Sequence, residues 1–288
     1  MGLQSTLVVV AVLLGGNNLF AQSQPGLTYD LYTRTGGVSG DTTTNVAHMK
    51  GTANALRMEF DQRPTGGAYR SLPVGDHGVV IIRSSGAELV ILDPDKKQYM
   101  SIKPLEMASG ARQMMESVGG SITFDTAASS VRADSLGPGP TIDGHNTLRY
   151  RLSVHTKLRI AMMGQDQTVE SQAVSETDNA VDLPEFRSVV GPAAGLRDMM
   201  QSMAQTVGVP RDFMDQAMKA GQRVRGFPLH SEKQTTSITP RGTLTISETS
   251  DAKNVRRVSI PDSTFAVPAD YKLMPFPLGR PQPSPDRN

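Results

Sequence analysis

The chain has 288 residues, with 29 basic and 28 acidic side chains and a formal net charge of +1. This balance leaves no excess of basic charge for a nucleic-acid backbone, and the absence of Trp with only 5% aromatic residues argues against stacking on bases. The chain contains no Cys, which excludes disulfides, zinc–thiolate sites and cysteine nucleophiles together, so the fold must rest on its hydrophobic core.

An unbroken apolar run from Leu7 to Leu14 dominates the N-terminus. It is shorter than the roughly 20 residues that cross a bilayer, and it is typical of a secretory signal with Ala21 at the cut. Such signals usually carry Lys or Arg at the start, which residues 1–6 lack, and the alternative is a core strand. We expect residues 1–21 to be a signal peptide and the mature chain to begin near Gln22. The protein would then be periplasmic or secreted, with no lipobox Cys and no transmembrane span in the mature chain.

Alternating and β-branched segments follow, separated by short Gly, Asp and Pro turns. Leu27–Tyr32 and Ala55–Asp61 alternate apolar and polar side chains, the two-residue period of a half-buried strand. Gly78–Arg83 is a continuous β-branched run, which indicates a strand covered on both faces. Because the turns are too short for parallel crossovers, we predict an antiparallel meander. Its strands are 27–32, 55–61, 78–83, 88–92 and 98–102, with a Gly/Ser/Thr-rich turn at 36–44.

The rest of the chain mixes helical and strand-like segments. Pro104 opens an apolar helical stripe that Gly119 and Gly120 end, and a second helical region runs from Leu183 to about Arg225, with breaks. The remaining predicted strands are 121–124, 147–154, 157–163, 167–174, 234–238, 242–248 and 265–268, before a Pro-rich, extended or disordered tail at 275–288. We therefore expect one α+β, mostly β domain over residues 22–274, with helices packed on one face of a sheet.

The residues reveal no catalytic constellation. The five histidines show no metal-ligand spacing on a predicted helix, and no Gly-x-Ser-x-Gly elbow occurs. His77 is better explained by a turn than by a metal or proton site, and Asp93 and Asp95 have too few oxygen neighbours for calcium. We expect no catalytic residue, no metal and no cofactor. An enzyme stays a third hypothesis, which requires His145 or His155 to meet carboxylates from the helical block.

Methionine is the one over-represented residue type, with 15 in the chain. Most lie on apolar helical stripes, where three interpretations compete: core filling, a pliable lining for an apolar ligand, and thioether binding of Cu(I). The helical spacing and the scarcity of nearby histidines disfavour copper. The candidate ligand-lining residues are Met114, Met115, Met199, Met200, Met203, Met214 and Met218.

Several short motifs follow one another in a fixed order: Met49–Gly51 with Leu56–Glu59, Leu92–Tyr99, Ile142–Tyr150, Gly226–Leu229 and Phe265–Lys272. Together with the signal segment, they resemble the DUF4412-type exported domains, which are related in shape to the carriers of outer-membrane lipoproteins (LolA-like). The resemblance implies a strongly curved antiparallel sheet, an open half-barrel, with helices covering its concave face and room for acyl chains between them. Family members often carry a Cys where this chain has Asn146 and Thr147, and no catalytic residue carries over.

Our first hypothesis is therefore a periplasmic, non-enzymatic binding module for an apolar or lipidated ligand, a lipid or a lipoprotein, held between sheet and helices. The alternative is a structural or stress-related envelope protein that acts through a protein-binding surface. A large exposed apolar patch in place of a cavity would favour this alternative. Neither hypothesis involves nucleic acid.

Overall fold

The computed structural model describes residues 23–36, 42–65, 75–83, 88–103, 119–162, 165–183, 209–240 and 242–274, with scattered helical positions between 106 and 117. Its strands are β1 (Ser23–Gly36), β2 (Thr42–Thr52), β3 (Leu56–Phe60), β4 (Val79–Arg83), β5 (Glu88–Asp93), β6 (Gln98–Ile102), β7 (Ser121–Phe124), β8 (Ser130–Pro138), β9 (Thr147–Met162), β10 (Gln165–Ala180), β11 (Phe227–Thr239), β12 (Gly242–Pro261) and β13 (Lys272–Leu273). Helix α1 spans Arg211–Arg223, and a 3₁₀ helix, η1, spans Asp262–Phe265. The predicted signal peptide, residues 184–208 of the predicted helical region and the Pro-rich tail lie outside the described residues.

All of the described strands belong to one curved, open sheet. The strand order is β13-β6-β5-β4-β3-β2-β1-β12-β11-β10-β9-β7, and β8 also pairs with β9. Every pair is antiparallel except β13 with β6, which is parallel. The mostly β fold and the antiparallel meander from β3 to β6 are therefore confirmed.

Apolar residues cover one face of the sheet, which we call the core face. Leu27 and Met49 lie on it, and Tyr29 on β1 meets Phe227 on β11 with ring centroids 5.2 Å apart. On the other face, which we call the opposite face, the buried apolar cluster lies around β4 and β5, where the C-terminal segment near Phe265 covers it. These two strands are thus buried on both sides, as the β-branched run predicted.

Some boundaries differ from the sequence-based expectations. The predicted turn at 36–44 contains the start of β2 at Thr42, since its run of β-branched Thr suits a strand. Strand β9 is continuous over 16 residues, where two separate strands were expected. The expected strand at 265–268 is instead the end of η1 and an extended segment, and its Pro268 has no N–H to donate to a ladder.

Helix α1 is the one continuous helix among the described residues. Its position agrees with the last part of the second predicted helical region, which ends at about Arg225. Helices covering the concave face of the sheet are not confirmed, because α1 alone is described in full. In the part of the chain described here, no helix is long and apolar enough to cross a membrane.

Candidate ligand-binding cleft

Helix α1 lies on the core face, above strands β7 to β9. Its apolar side carries Phe213, whose ring lies 4.8 Å from the ring of Phe124 on β7, and Ala220, which is buried. The remaining surface of the helix is largely charged, with Asp212 in the first turn and Arg223 in the last. Both charges complement the helix dipole. The amphipathic pattern therefore fixes which side of the helix faces the sheet.

A cleft of about 660 Å³ lies between the C-terminal end of α1 and the sheet, and we call it the helix–sheet cleft. Its volume is within the usual range for small-molecule sites, roughly 300–1,000 Å³. The floor is formed by Ala133, Leu148 and Tyr150, whose strands β8 and β9 pair side by side. The rim is polar and is formed by Asp134, Ser135, Lys219, Gln222, Arg223 and Arg225.

The backbone beside the cleft is held rigidly by a buried amide. Asn179 is buried, and its Nδ2 donates to the carbonyl oxygens of Arg225 at 2.9 Å and Gly226 at 3.5 Å. Gly226 has a φ of +81°, and a Cβ there would lie 2.9 Å from the carbonyl carbon of Ala180 and closer still to its oxygen. Only glycine fits this close approach of two backbones. The chain just after α1 is therefore fixed against β10, and Arg225 with it.

The rim of the helix–sheet cleft carries an excess of positive charge. Lys219, Arg223 and Arg225 form no ion pair with another described residue, and all three are exposed. The one acidic rim residue, Asp134, is paired with Arg132, whose Nε lies 2.8 Å from a carboxylate oxygen. Within the described part of the chain, no carboxylate therefore neutralises these three cations.

The apolar floor continues along β9 beyond the cleft. Leu152, Val154, Leu158 and Ile160 share the core face with Tyr150 and are all half-buried. Val169 on β10 pairs with Leu158, and Leu244 and Ile246 on β12, three strands away from β9, lie on the same face and are 40% and 38% exposed. These aliphatic side chains belong to neither hydrophobic cluster, and mainly Ser and Thr side chains of β10 and β11 lie between those of β9 and β12 on the core face.

A second cleft, of about 930 Å³, lies on the opposite face beneath the C-terminal segment. Its charged side chains already form hydrogen bonds with other groups of the protein. The Nε of Arg83 donates to the carbonyl oxygen of Phe265 at 2.7 Å, and the hydroxyl of Ser101 donates to Glu88 at 2.7 Å. The first bond attaches the C-terminal segment to β4 and the second joins β6 to β5, so we interpret this cleft as part of the fold's own packing.

Four of the five histidines pair with carboxylates on neighbouring chain segments. The pairs are His48–Asp30, His145–Asp182 and His230–Asp251, each at 2.7 Å, and His155–Glu170 at 2.8 Å. The hydrogen bond that His48 donates to Asp30 raises the pKa of His48, while the hydrogen bonds from Asn254 and His48 lower the pKa of Asp30. Burial is the largest influence on the pKa of His230 and lowers it, but the carboxylates of Asp251 and Glu232 together outweigh burial and raise the pKa overall. His77 lies in an exposed turn with a φ of +56°, as predicted.

Among the predicted ligand-lining methionines, only two lie within the described residues. Met214 is half-buried on α1 and Met218 is 38% exposed, and neither lines the helix–sheet cleft. Met114, Met115, Met199, Met200 and Met203 lie outside the described residues. The sequence reasoning missed the cationic rim, although Lys219 and Arg223 stand four residues apart on a predicted helix and so share a face. Within the described residues, no group of three or more His, Asp or Glu side chains is arranged to hold a metal ion.

Comparison with known proteins shows only distant likeness. No family model and no curated protein matches the sequence. A LolA superfamily protein, NE2245 from Nitrosomonas europaea, is 8% identical over 84% of this chain and 90% of its own, with a TM-score of 0.29. PNGF-II, in two crystal forms, is 11% identical over 86% of this chain, with TM-scores of 0.29 and 0.30. The match covers only 30% and 31% of the PNGF-II chains. The resemblance to DUF4412-type domains stays a prediction.

Proposed function

We propose that this chain is an exported, non-enzymatic binding module for an apolar or lipidated ligand, whose apolar part lies against the core face beside α1. The observation that supports this proposal is the helix–sheet cleft, whose apolar floor continues into half-buried aliphatic side chains along β9. The space lies between sheet and helix, although the methionines that the sequence suggested are not its described lining.

The energetics of apolar burial favour such a ligand. Each methylene group removed from water contributes about 0.8 kcal/mol. Leu148, Leu152, Val154 and Leu158 retain exposed area that a hydrocarbon chain would cover. The buried residues of the two hydrophobic clusters have almost no exposed area, and the same holds for Ala133 and Tyr150 at the cleft floor. Binding energy is therefore available along β9 and absent around β4 and β5.

The alternative, a protein-binding surface, would be supported by one contiguous exposed apolar patch. The exposed aliphatic residues of the long strands do not form one. Leu244 and Ile246 lie on the core face, whereas Val174 and Ile238 lie on the opposite face. We therefore place the ligand-binding module first.

The proposal is tested by obstructing the cleft without disturbing the core. Ser135 is exposed and lines the cleft, so Ser135→Trp fills the space from the rim. Leu136, 41% exposed on the same strand and outside the lining, gives the control Leu136→Trp. Purified chain from Gln22 onward is titrated with a fluorescent fatty acid. If the new ring excludes about two methylene groups, binding falls by about tenfold in Ser135→Trp.

The control variant is expected to bind as the unsubstituted chain does, and both variants are expected to keep its unfolding midpoint. Failure of the unsubstituted chain to bind the fatty acid, together with lipid-free protein on organic extraction of a native preparation, contradicts the proposed function. Equal binding by all three proteins places the ligand elsewhere and contradicts the assignment to this cleft.

A further inference from the structure

We infer that the helix–sheet cleft selects amphiphiles with an acidic head group, a carboxylate or a phosphate, which Lys219, Arg223 and Arg225 hold at the rim. This inference rests on the proposed function and adds the chemistry of the ligand's polar end. It is carried by three cations that surround an apolar floor and have no anionic partner among the described residues.

The arrangement of the cations is not explained by the needs of the helix alone. Arg223 lies in the last turn of α1, where a cation complements the helix dipole. Lys219 stands one turn earlier on the same face, and like charges at this spacing destabilise a helix. Arg225 lies beyond the end of the helix, on the backbone that Asn179 fixes. A bound anion would relieve the repulsion between these side chains.

The surroundings of the cations strengthen their effect on a ligand. The nearby carboxylate, Asp134, is occupied by Arg132 and so does not neutralise the rim. The floor beneath is apolar, with Tyr150 and Ala133 buried, and an apolar wall concentrates the field of neighbouring charges. Guanidinium groups also match the planar, two-oxygen geometry of carboxylates and phosphates. A head group at the rim thus meets both charge and geometric complementarity.

The ligand is inferred to be an amphiphile rather than a free anion because charge and apolar surface adjoin. Leu148 at the floor and Leu152 further along β9 lie on the same face, two side chains apart. A small anion would contact the rim alone and leave this aliphatic surface in water. A head group joined to a chain of methylenes would contact both.

The test compares ligands that share a chain and differ in charge. The intact mature chain is titrated by calorimetry with a fatty acid, the alcohol of equal chain length and the corresponding alkyl phosphate, below their critical micelle concentrations. The expected result is that the acid and the phosphate bind at least about tenfold more tightly than the alcohol. Raising the salt to about 1 M, where the Debye length is about 3 Å, is expected to remove most of that preference.

Charge variants assign the preference to the rim. Arg223→Gln and Arg225→Gln are each expected to weaken binding of the acid about two- to fivefold and to leave binding of the alcohol unchanged. The matched control is Arg211→Gln, an exposed residue at the other end of α1. Because all three side chains are exposed, the variants are expected to unfold at the same denaturant concentration.

The outcomes separate this inference from the proposed function. Equal affinity for acid and alcohol overturns the inference and leaves the proposed function standing. No binding of any of the three ligands refutes the proposed function itself. Inorganic phosphate alone, binding as tightly as the alkyl phosphate, would identify a simple anion site and overturn the inference. Preference for the acid that persists in both Arg variants would place the selecting charges elsewhere and overturn it too.

Discussion

Gly226 is the position where the fold and the candidate cleft are most closely joined, and replacing it with Ala is our principal prediction. The residue has a φ of +81° and lies directly against the carbonyl group of Ala180. A methyl group there would overlap backbone atoms, which cannot swing aside as a side chain would. We expect Gly226→Ala to push residues 225–226 away from β10 and to break their hydrogen bonds to Asn179.

The expected loss of unfolding free energy in Gly226→Ala follows from comparison with Gly144, which has nearly the same backbone conformation and a different environment. Its φ is +82°, and no atom lies within 4 Å of the Cβ position. Gly144→Ala is therefore expected to lose only the free energy of placing an L-residue in the left-handed backbone conformation, about 1–2 kcal/mol. Gly226→Ala has that cost and, in addition, the cost of a backbone shift in a packed region, about 1–3 kcal/mol. The difference between the two variants isolates the contact with Ala180.

The assay is guanidinium unfolding followed by far-ultraviolet circular dichroism, with the free energy of unfolding obtained by linear extrapolation. Gly226→Ala is also expected to weaken the fatty-acid affinity, because Arg225 moves with the displaced backbone, whereas Gly144→Ala leaves it unchanged. Equal losses of stability in the two variants would show that the close approach to Ala180 does not constrain the chain. The reasoning about the cleft's rigid edge would then be refuted.

Two further predictions concern charged pairs of the opposite face. Arg149 donates two hydrogen bonds, of 2.8 and 2.7 Å, to the buried carboxylate of Asp178. Arg149→Met is therefore expected to lower the unfolding free energy by about 3 kcal/mol, and the exposed control Arg151→Met by at most about 1 kcal/mol. Similar losses in the two variants would show that burial of the carboxylate is unimportant. The raised pKa of His48 predicts stability that is fully present below its unfolded-state pKa of about 6.5 and is lost as pH rises through the folded-state value. Between pH 6 and pH 8 the unfolding free energy is expected to fall by about 0.2–1 kcal/mol more in the unsubstituted chain than in His48→Gln, and parallel pH profiles would contradict this.

Short sequence patterns predicted the elements whose conformation depends mainly on residues close together in the sequence. The β-branched run of β4 predicted a strand buried on both faces, and Val80 and Ile81 are fully buried. The Asp143-Gly144 sequence is typical of a tight turn, and both residues adopt the positive φ values of a hairpin turn closed by Ile142 and His145. In such segments the side-chain pattern and the backbone preference point to the same structure.

The rest of the fold depends on pairings that no local pattern contains. Strand β1 lies between β2 and β12, so residues such as Leu31 and Ala252 become neighbours across most of the chain. The sequence predicted a strand only over residues 242–248 of β12, and the polar stretch that follows is a strand because β1 pairs along it. The candidate cleft was missed for a similar reason, since the sequence drew attention to apolar methionines whereas the rim is formed by cations that only the fold brings over Tyr150.

The distribution of burial then determines where a ligand can gain free energy and how it would be oriented. Ile81 and Val90 are fully buried by the protein itself, so at about 25 cal/mol per Å² of newly covered apolar surface they contribute nothing to a ligand. Half-buried aliphatic residues continue along β9 as far as Ile160, whereas the cations without an ion-pair partner among the described residues gather at the other end, around Arg225. A ligand that satisfied both would place its acidic end at the cleft and its chain toward Ile160, and the reverse orientation would bury a charge against aliphatic side chains. The asymmetry of one strand is therefore sufficient to give the proposed site a direction.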